Sequence, residues 1–129
     1  MKEKLNSLSE AIVGAAIAVH RELGPGLLES AYEACLEYEL LDRGYVVERQ
    51  KELPVVYRGV KVDCGFRPDL LIDGLVIVEL KSVDRLDRIH EAQVISYPKL
   101  TGLRLGLLMN FNVVRLVDGI KRLVRDFPT

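Results

Sequence analysis

A chain of 129 residues is one domain's length, read here as a single unit 1–129, and it can bury a core without disulfide or metal staples. A composition 49% hydrophobic and 29% charged excludes a disordered chain and fits a soluble globule. The formal charge of −1 demands no polyanionic partner, but residues 1–60 carry 7 basic against 10 acidic side chains and residues 61–129 carry 11 against 9, so an anionic substrate belongs with the second half.

Cys35 and Cys64 have no metal-ligand spacing and suit a reducing compartment. The longest apolar run, Ala11 to Val19, is too short for a bilayer, and Met1-Lys2-Glu3-Lys4 before polar Asn6 and Ser7 has no leader pattern. A cytoplasmic location with no membrane partner is therefore expected.

Ser7-Leu8-Ser9-Glu10 has capping-box spacing and predicts a helix from about Ser9 to Leu23, ended by Gly24-Pro25-Gly26. A second helix is expected from about Leu27 to Arg43, closed by Gly44. Tyr45 to Tyr57 is strand-like, Arg58-Gly59 reads as a turn, and Val60 to Cys64 as the return strand. Phe66 to Ile72 and Leu75 to Lys81 read as two strands joined at Asp73-Gly74, the second apolar on both faces and so central. The pattern is helical from about Asp84 to Leu100, with Pro98 expected to kink or end that helix. Leu103 to Met109 is a second covered strand, and Val113 to Val117, Asp118-Gly119 and Ile120 to Val124 read as a terminal hairpin. This order gives an α/β or α+β fold, a mixed central sheet flanked by helices.

The chemistry concentrates in Arg67-Pro68-Asp69 and Glu79-Leu80-Lys81. Glu79 and Lys81 stand at i and i+2 of a strand, so they share a face, and they close an apolar strand where a charge must be compensated or useful. If Asp69 converges on Glu79 from the neighbouring strand, the two carboxylates and the Leu80 carbonyl make a hard-oxygen site for Mg²⁺ or Mn²⁺. Lys81 would then hold a phosphate oxygen or position a water. Register is the obstacle. A two-residue turn at Asp73-Gly74 pairs Asp69 with Val78 and puts Glu79 on the opposite face; a three-residue loop, or a bulge before the turn, reverses this. Pro68 favours such an irregularity, since it cannot donate to a ladder. A salt-bridged strand end would equally explain Glu79 and Lys81, and a turn-forming residue would explain Asp69. On the following helix His90, Gln93 and Tyr97 fall on one stripe. Arg67, Arg85 and Arg88 could contact phosphates, or form a solvated face with Asp84 and Asp87.

The Asp69, Glu79, Lys81 layout resembles the PD-(D/E)XK superfamily of restriction-endonuclease-like nucleases, and Gln93-x₃-Tyr97 resembles the helix motif of its recombination-type members. Gly26-x₂-Glu29-x₂-Tyr32 resembles the signature of the GxxExxY proteins of that superfamily. Ile89-His90-Glu91-Ala92-Gln93, Tyr97, Lys99-Leu100-Thr101-Gly102, Asn110-Phe111-Asn112-Val113 and Asp118-Gly119-Ile120-Lys121-Arg122 follow in the family order, over about residues 8–125. The resemblance implies a restriction-endonuclease-like αβββαβ core and a metal-dependent phosphodiesterase acting on nucleic acid, DNA ahead of RNA. It implies Mg²⁺ or Mn²⁺ on Asp69, Glu79 and the Leu80 carbonyl, a catalytic set completed by Lys81 and Glu29, and substrate contacts from Gln93 and Tyr97, to which the residues themselves add His90, Arg67 and Arg85 as candidates. Glu29 rather than Glu33 is expected nearest the cluster, although the helix macrodipole alone would favour an acid at Glu29. The alternative is a non-catalytic nucleic-acid- or protein-binding module that keeps the nuclease fold. The slim Ala-rich first helix and the Val-rich strands could supply a homodimer interface.

Overall fold

The computed structural model describes residues 1–125, and in its third helix the side chains of 95 and 97–100 fall outside the described residues. Helix α1 spans Lys2–Leu23 and α2 spans Glu29–Asp42. The start of α1 corrects the expected Ser9: Leu5 and Leu8 extend the stripe of Ile12, Ala15, Ala16 and Val19 and are buried with it. Burial of that face outweighs the capping box, which lies inside the helix. Helix α2 closes as expected at Gly44, whose φ of 91° lets its N–H reach Leu41 O at 3.0 Å while the Tyr45 N–H reaches Leu40 O at 3.1 Å.

The strands are β1 Val47–Arg49, β2 Val55–Tyr57, β3 Val60–Val62, β4 Leu70–Ile72, β5 Val76–Lys81, β6 Leu105–Asn110 and β7 Ile120–Val124. Five form one mixed sheet in the order β1-β4-β5-β6-β7. In it β5 and β6 are parallel, connected by helix α3 (Arg88–Thr101), and every other pair is antiparallel. Strands β2 and β3 pair with each other as a separate hairpin about Arg58-Gly59.

Four expectations are corrected. The single strand Tyr45 to Tyr57 is broken at Gln50, whose φ of 55° cannot continue a pleat, so its two halves join different sheets. The strand Phe66 to Ile72 begins only at Leu70, after Pro68. Helix α3 runs on past Pro98 to Thr101, because a lost N–H bond so close to the end leaves the earlier turns intact. Val113 to Val117 is no strand. A 3-10 turn, Leu116–Gly119, buries Leu116, and β7 pairs with β6 from Leu105↔Val124 to Met109↔Ile120. Gly119 sits so close to the Asn110 carbonyl that a Cβ would collide with it.

The central strand β5 alternates between two cores. Val76, Val78 and Leu80 enter the main core with Leu5, Ile12, Tyr32, Leu36 and Leu40 of the first two helices. Ile77 joins Phe66 and Leu71 in a smaller cluster on the other face. Glu79 and Lys81 share the face of Ile77 by strand alternation. Among the described residues no helix is long and apolar enough to cross a membrane.

Candidate active site

The register of β4 and β5 decides whether two carboxylates can meet. The pairs are Leu70↔Val78, Leu71↔Ile77 and Ile72↔Val76, so the connection is the three-residue loop Asp73-Gly74-Leu75. Asp73 and Gly74 have φ of 51° and 66°, and the Leu75 N–H bonds Ile72 O at 2.9 Å. This is a tight turn of primed type with Leu75 as an extra residue. Asp73 Oδ1 also accepts the Val46 N–H at 2.9 Å, which locks the turn to the chain entering β1. One step beyond Leu70↔Val78, the register sets Asp69 opposite Glu79, on the same face.

Next in that register Pro68 would face Leu80, and having no N–H it offers the Leu80 carbonyl no ladder donor. The Leu80 N–H donates to Asp69 Oδ2, at 2.8 Å. Asp69 Oδ1 accepts a bond from Gln50 Nε2 at 3.1 Å, and Asp69 O accepts the Gln50 N–H at 3.1 Å. Glu79 is half-buried. Burial, then the Asp69 charge and a side-chain hydrogen bond to Asp69, push its carboxyl up to about 8; the Asp69 backbone N–H and the Lys81 ammonium pull the other way. At neutral pH the Glu79 carboxyl therefore keeps its proton, beside Asp69. Such a pair suits a hard divalent cation, which would take the place of that proton. Among the described residues no three His, Cys, Asp or Glu side chains converge; Asp69, Glu79 and the Leu80 carbonyl between Glu79 and Lys81 are the oxygens that could hold such an ion.

A cavity of about 250 Å³ opens on this face. Glu79 and Lys81 of β5 form one side, His90, Gln93 and Val94 of α3 another, and Gly65, Phe66 and Arg67 a third. His90 and Gln93 of the expected stripe thus reach the site, while the side chain of Tyr97 lies outside the described residues. His90 Nδ1 accepts the Asp87 N–H at 3.0 Å, which leaves Nε2 to carry the ring proton in the neutral form. Arg67 is exposed at the rim, 3.4 Å from Glu52. Arg85 stands on the exposed loop before α3 and does not line the cavity.

The two upstream acids come from α2, which packs on the main-core face, and they take different routes. Glu29 reaches over the end of β5, where its Oε2 accepts the Ser82 N–H at 3.3 Å; Ser82 Oγ donates to Leu27 O at 2.6 Å. Glu33 is buried and bonds Gln50 Nε2 at 2.6 Å and Arg49 Nε at 2.9 Å. Burial, assisted by the Asp69 charge, raises the Glu33 carboxyl above its ordinary value, against the hydrogen bonds from Arg49 and Gln50. Hydrogen bonds thus connect Glu33 to Asp69 through Gln50, whereas Glu29 holds the residue after Lys81. Sequence reasoning missed Gln50, whose amide has no signature between Arg49 and Lys51. It also missed the part played by Asn110: buried, it bonds the Val83 N–H at 3.1 Å and Val83 O at 3.0 Å, and so holds the loop that leaves Lys81.

The family model of the PD-(D/E)XK nuclease superfamily matches residues 6–123. No curated protein and no solved structure matches the chain. The five-stranded mixed sheet flanked by helices is consistent with a restriction-endonuclease-like fold.

Proposed function

The chain belongs to the PD-(D/E)XK nuclease superfamily, and from that premise we propose that it is a divalent-metal-dependent phosphodiesterase of the GxxExxY group, cleaving nucleic acid. The observation that carries this is the register of the irregular hairpin, which sets Asp69 opposite Glu79 one step beyond Leu70↔Val78, with Lys81 on the same face. A module that only bound nucleic acid would gain nothing from two carboxylates held where a phosphate must lie. Asp69, Glu79 and the Leu80 carbonyl would hold Mg²⁺ or Mn²⁺. When bound, the ion supplies Lewis acidity, acidifying a water and offsetting charge on the phosphate.

The chain's own groups do the rest. Lys81 presents its ammonium to a phosphate oxygen or orients the water. The Gln93 amide and the His90 Nε2–H can donate to phosphate or sugar oxygens from the α3 side of the cavity. Arg67 adds positive charge at the rim, and Tyr97 and Arg85 are proposed as further substrate contacts. Membership of the GxxExxY group is supported by a task for each signature residue. The Tyr32 hydroxyl donates to Gly24 O at 2.5 Å and accepts the Leu27 N–H at 3.1 Å, fixing the turn at Gly26 from which Glu29 reaches Ser82.

DNA is the proposed substrate ahead of RNA, and the free thiols Cys35 and Cys64 suit the cytoplasm. Ala15 and Ala16 are buried in the main core, so the Ala-rich face is used within the chain. A homodimer would then rest on the Val-rich hairpin, where Val56, Val60 and Val62 are exposed. The test is Mn²⁺ titration by calorimetry on wild type and Glu79→Ala, with DNA and RNA cleavage assayed on the same samples. Binding and cleavage, both lost in the variant, are expected. Metal binding without cleavage of either polymer would point to the binding module instead.

A further inference from the structure

Gln50 is exposed and serves no core, yet its backbone holds a φ of 55°, a left-handed conformation disfavoured for a residue with a Cβ. It does so at the one break between β1 and the β2–β3 hairpin. The local gain is a pair of attachments to one residue. The Gln50 N–H donates to Asp69 O at 3.1 Å and the Gln50 amide donates to Asp69 Oδ1 at 3.1 Å. The same Nε2 also donates to Glu33 Oε1, at 2.6 Å. Carboxylates only accept, so an NH₂ between two of them is used in full, one hydrogen to each, and the orientation of the amide is fixed. Glu33 is in turn anchored by Arg49 Nε at 2.9 Å.

We propose that Gln50 is a positioning residue for the metal site, its strained backbone conformation and its doubly bonded amide holding the Asp69 carboxylate in the orientation that faces Glu79, with Glu33 as the anchor behind it. The inference rests on the reading of Asp69 and Glu79 as metal ligands. With Oδ1 held by Gln50 and Oδ2 by the Leu80 N–H, the Asp69 carboxylate cannot rotate, and the remaining lone pairs of its oxygens are presented in one direction only. Residues that orient a ligand in this way typically change metal affinity 10–100-fold when removed.

A role in metal positioning predicts weaker Mn²⁺ binding in a Gln50→Gly chain that still folds; a purely structural role predicts lower stability with Mn²⁺ binding kept. Glycine takes the left-handed conformation freely, so the fold loses nothing there, but the amide is gone. The experiment is Mn²⁺ calorimetry and thermal unfolding of wild type, Gln50→Gly, Gln50→Asn and Asp69→Asn. Asparagine tolerates the same backbone conformation and is one methylene too short to span both carboxylates. Expected are Mn²⁺ affinities about 10–100-fold weaker in both Gln50 variants, each still folded at the temperature of the titration, and no binding in Asp69→Asn. Adding Glu33→Gln to Gln50→Gly should weaken Mn²⁺ no further, since the connection is already cut. Wild-type affinity in either Gln50 variant, with binding lost in Asp69→Asn, overturns the role of Gln50 alone. Undiminished binding in Asp69→Asn overturns the metal-site reading itself, and this inference with it.

Discussion

A carboxyl that keeps its proton up to about pH 8 makes Glu79 a pH-dependent contributor to stability. Unfolded, the same group ionises near 4.5, so between 4.5 and about 8 the folded chain holds a proton the unfolded chain has lost. The contribution is therefore complete below 4.5 and is lost as pH rises through about 8. Glu79→Gln keeps the shape of the protonated acid and has nothing to titrate. It is expected to match wild type near pH 4 and to exceed it by a few kcal/mol at pH 9, measured by urea unfolding. Parallel pH profiles for the two proteins would show that Glu79 does not keep its proton in the fold. In its proposed role Lys81 would separate binding from chemistry at the same scale. Lys81→Met keeps the stem and removes the ammonium, so cleavage should fall by about 10²–10³ with Mn²⁺ affinity retained, read by single-turnover kinetics beside calorimetry. A variant as active as wild type removes Lys81 from the mechanism.

Among the elements, the β4–β5 hairpin shows what a sequence pattern can and cannot fix. All three residues of β4, Leu70, Leu71 and Ile72, are buried, so a slip of one residue exchanges apolar side chains for apolar side chains. Hydrophobic patterning therefore leaves the register open, and turn geometry sets it. Asp73-Gly74 announced the turn, but Leu75 as the extra residue was one of two alternatives until the pairing of Ile72 with Val76 was seen. Asp73 is the residue that holds the turn, through its positive φ and its bond to the Val46 N–H. Asp73→Ala should cost about 1–3 kcal/mol in urea unfolding, from backbone strain plus an unpaired N–H, while Asp73→Asn, which tolerates both, should cost well under 1 kcal/mol. Equal losses would mean the side chain is idle. The start of α1 was illegible for a different reason: Leu5 and Leu8 gain only from partners distant in sequence, while the capping box is a local signal that burial overrides.

On the scale of the whole molecule, Asp69, Glu79 and Lys81 were legible because strand alternation alone relates Glu79 to Lys81 and one turn relates both to Asp69. Gln50, Glu33 and Asn110 were not, because their hydrogen bonds join β1, α2 and β6 to the site only once the chain has folded. If Asp69 and Glu79 hold an ion as proposed, the same convergence couples metal binding to global stability, since the unfolded chain has no such site. At free Mn²⁺ 100 times its dissociation constant, the native state gains about 2.7 kcal/mol, which for a domain of this size raises the unfolding temperature by roughly 10 °C. The gain depends on the proton that the ion must displace from Glu79. Moving from pH 8 to pH 6 with the group near 8 reduces its ionised fraction by about 50-fold, so the same Mn²⁺ concentration should then add less than about 1 kcal/mol. Asp69→Asn and Glu79→Gln should show no Mn²⁺-dependent rise at either pH. A rise equal at pH 6 and pH 8, or one that survives in both variants, would place the ion elsewhere on the chain.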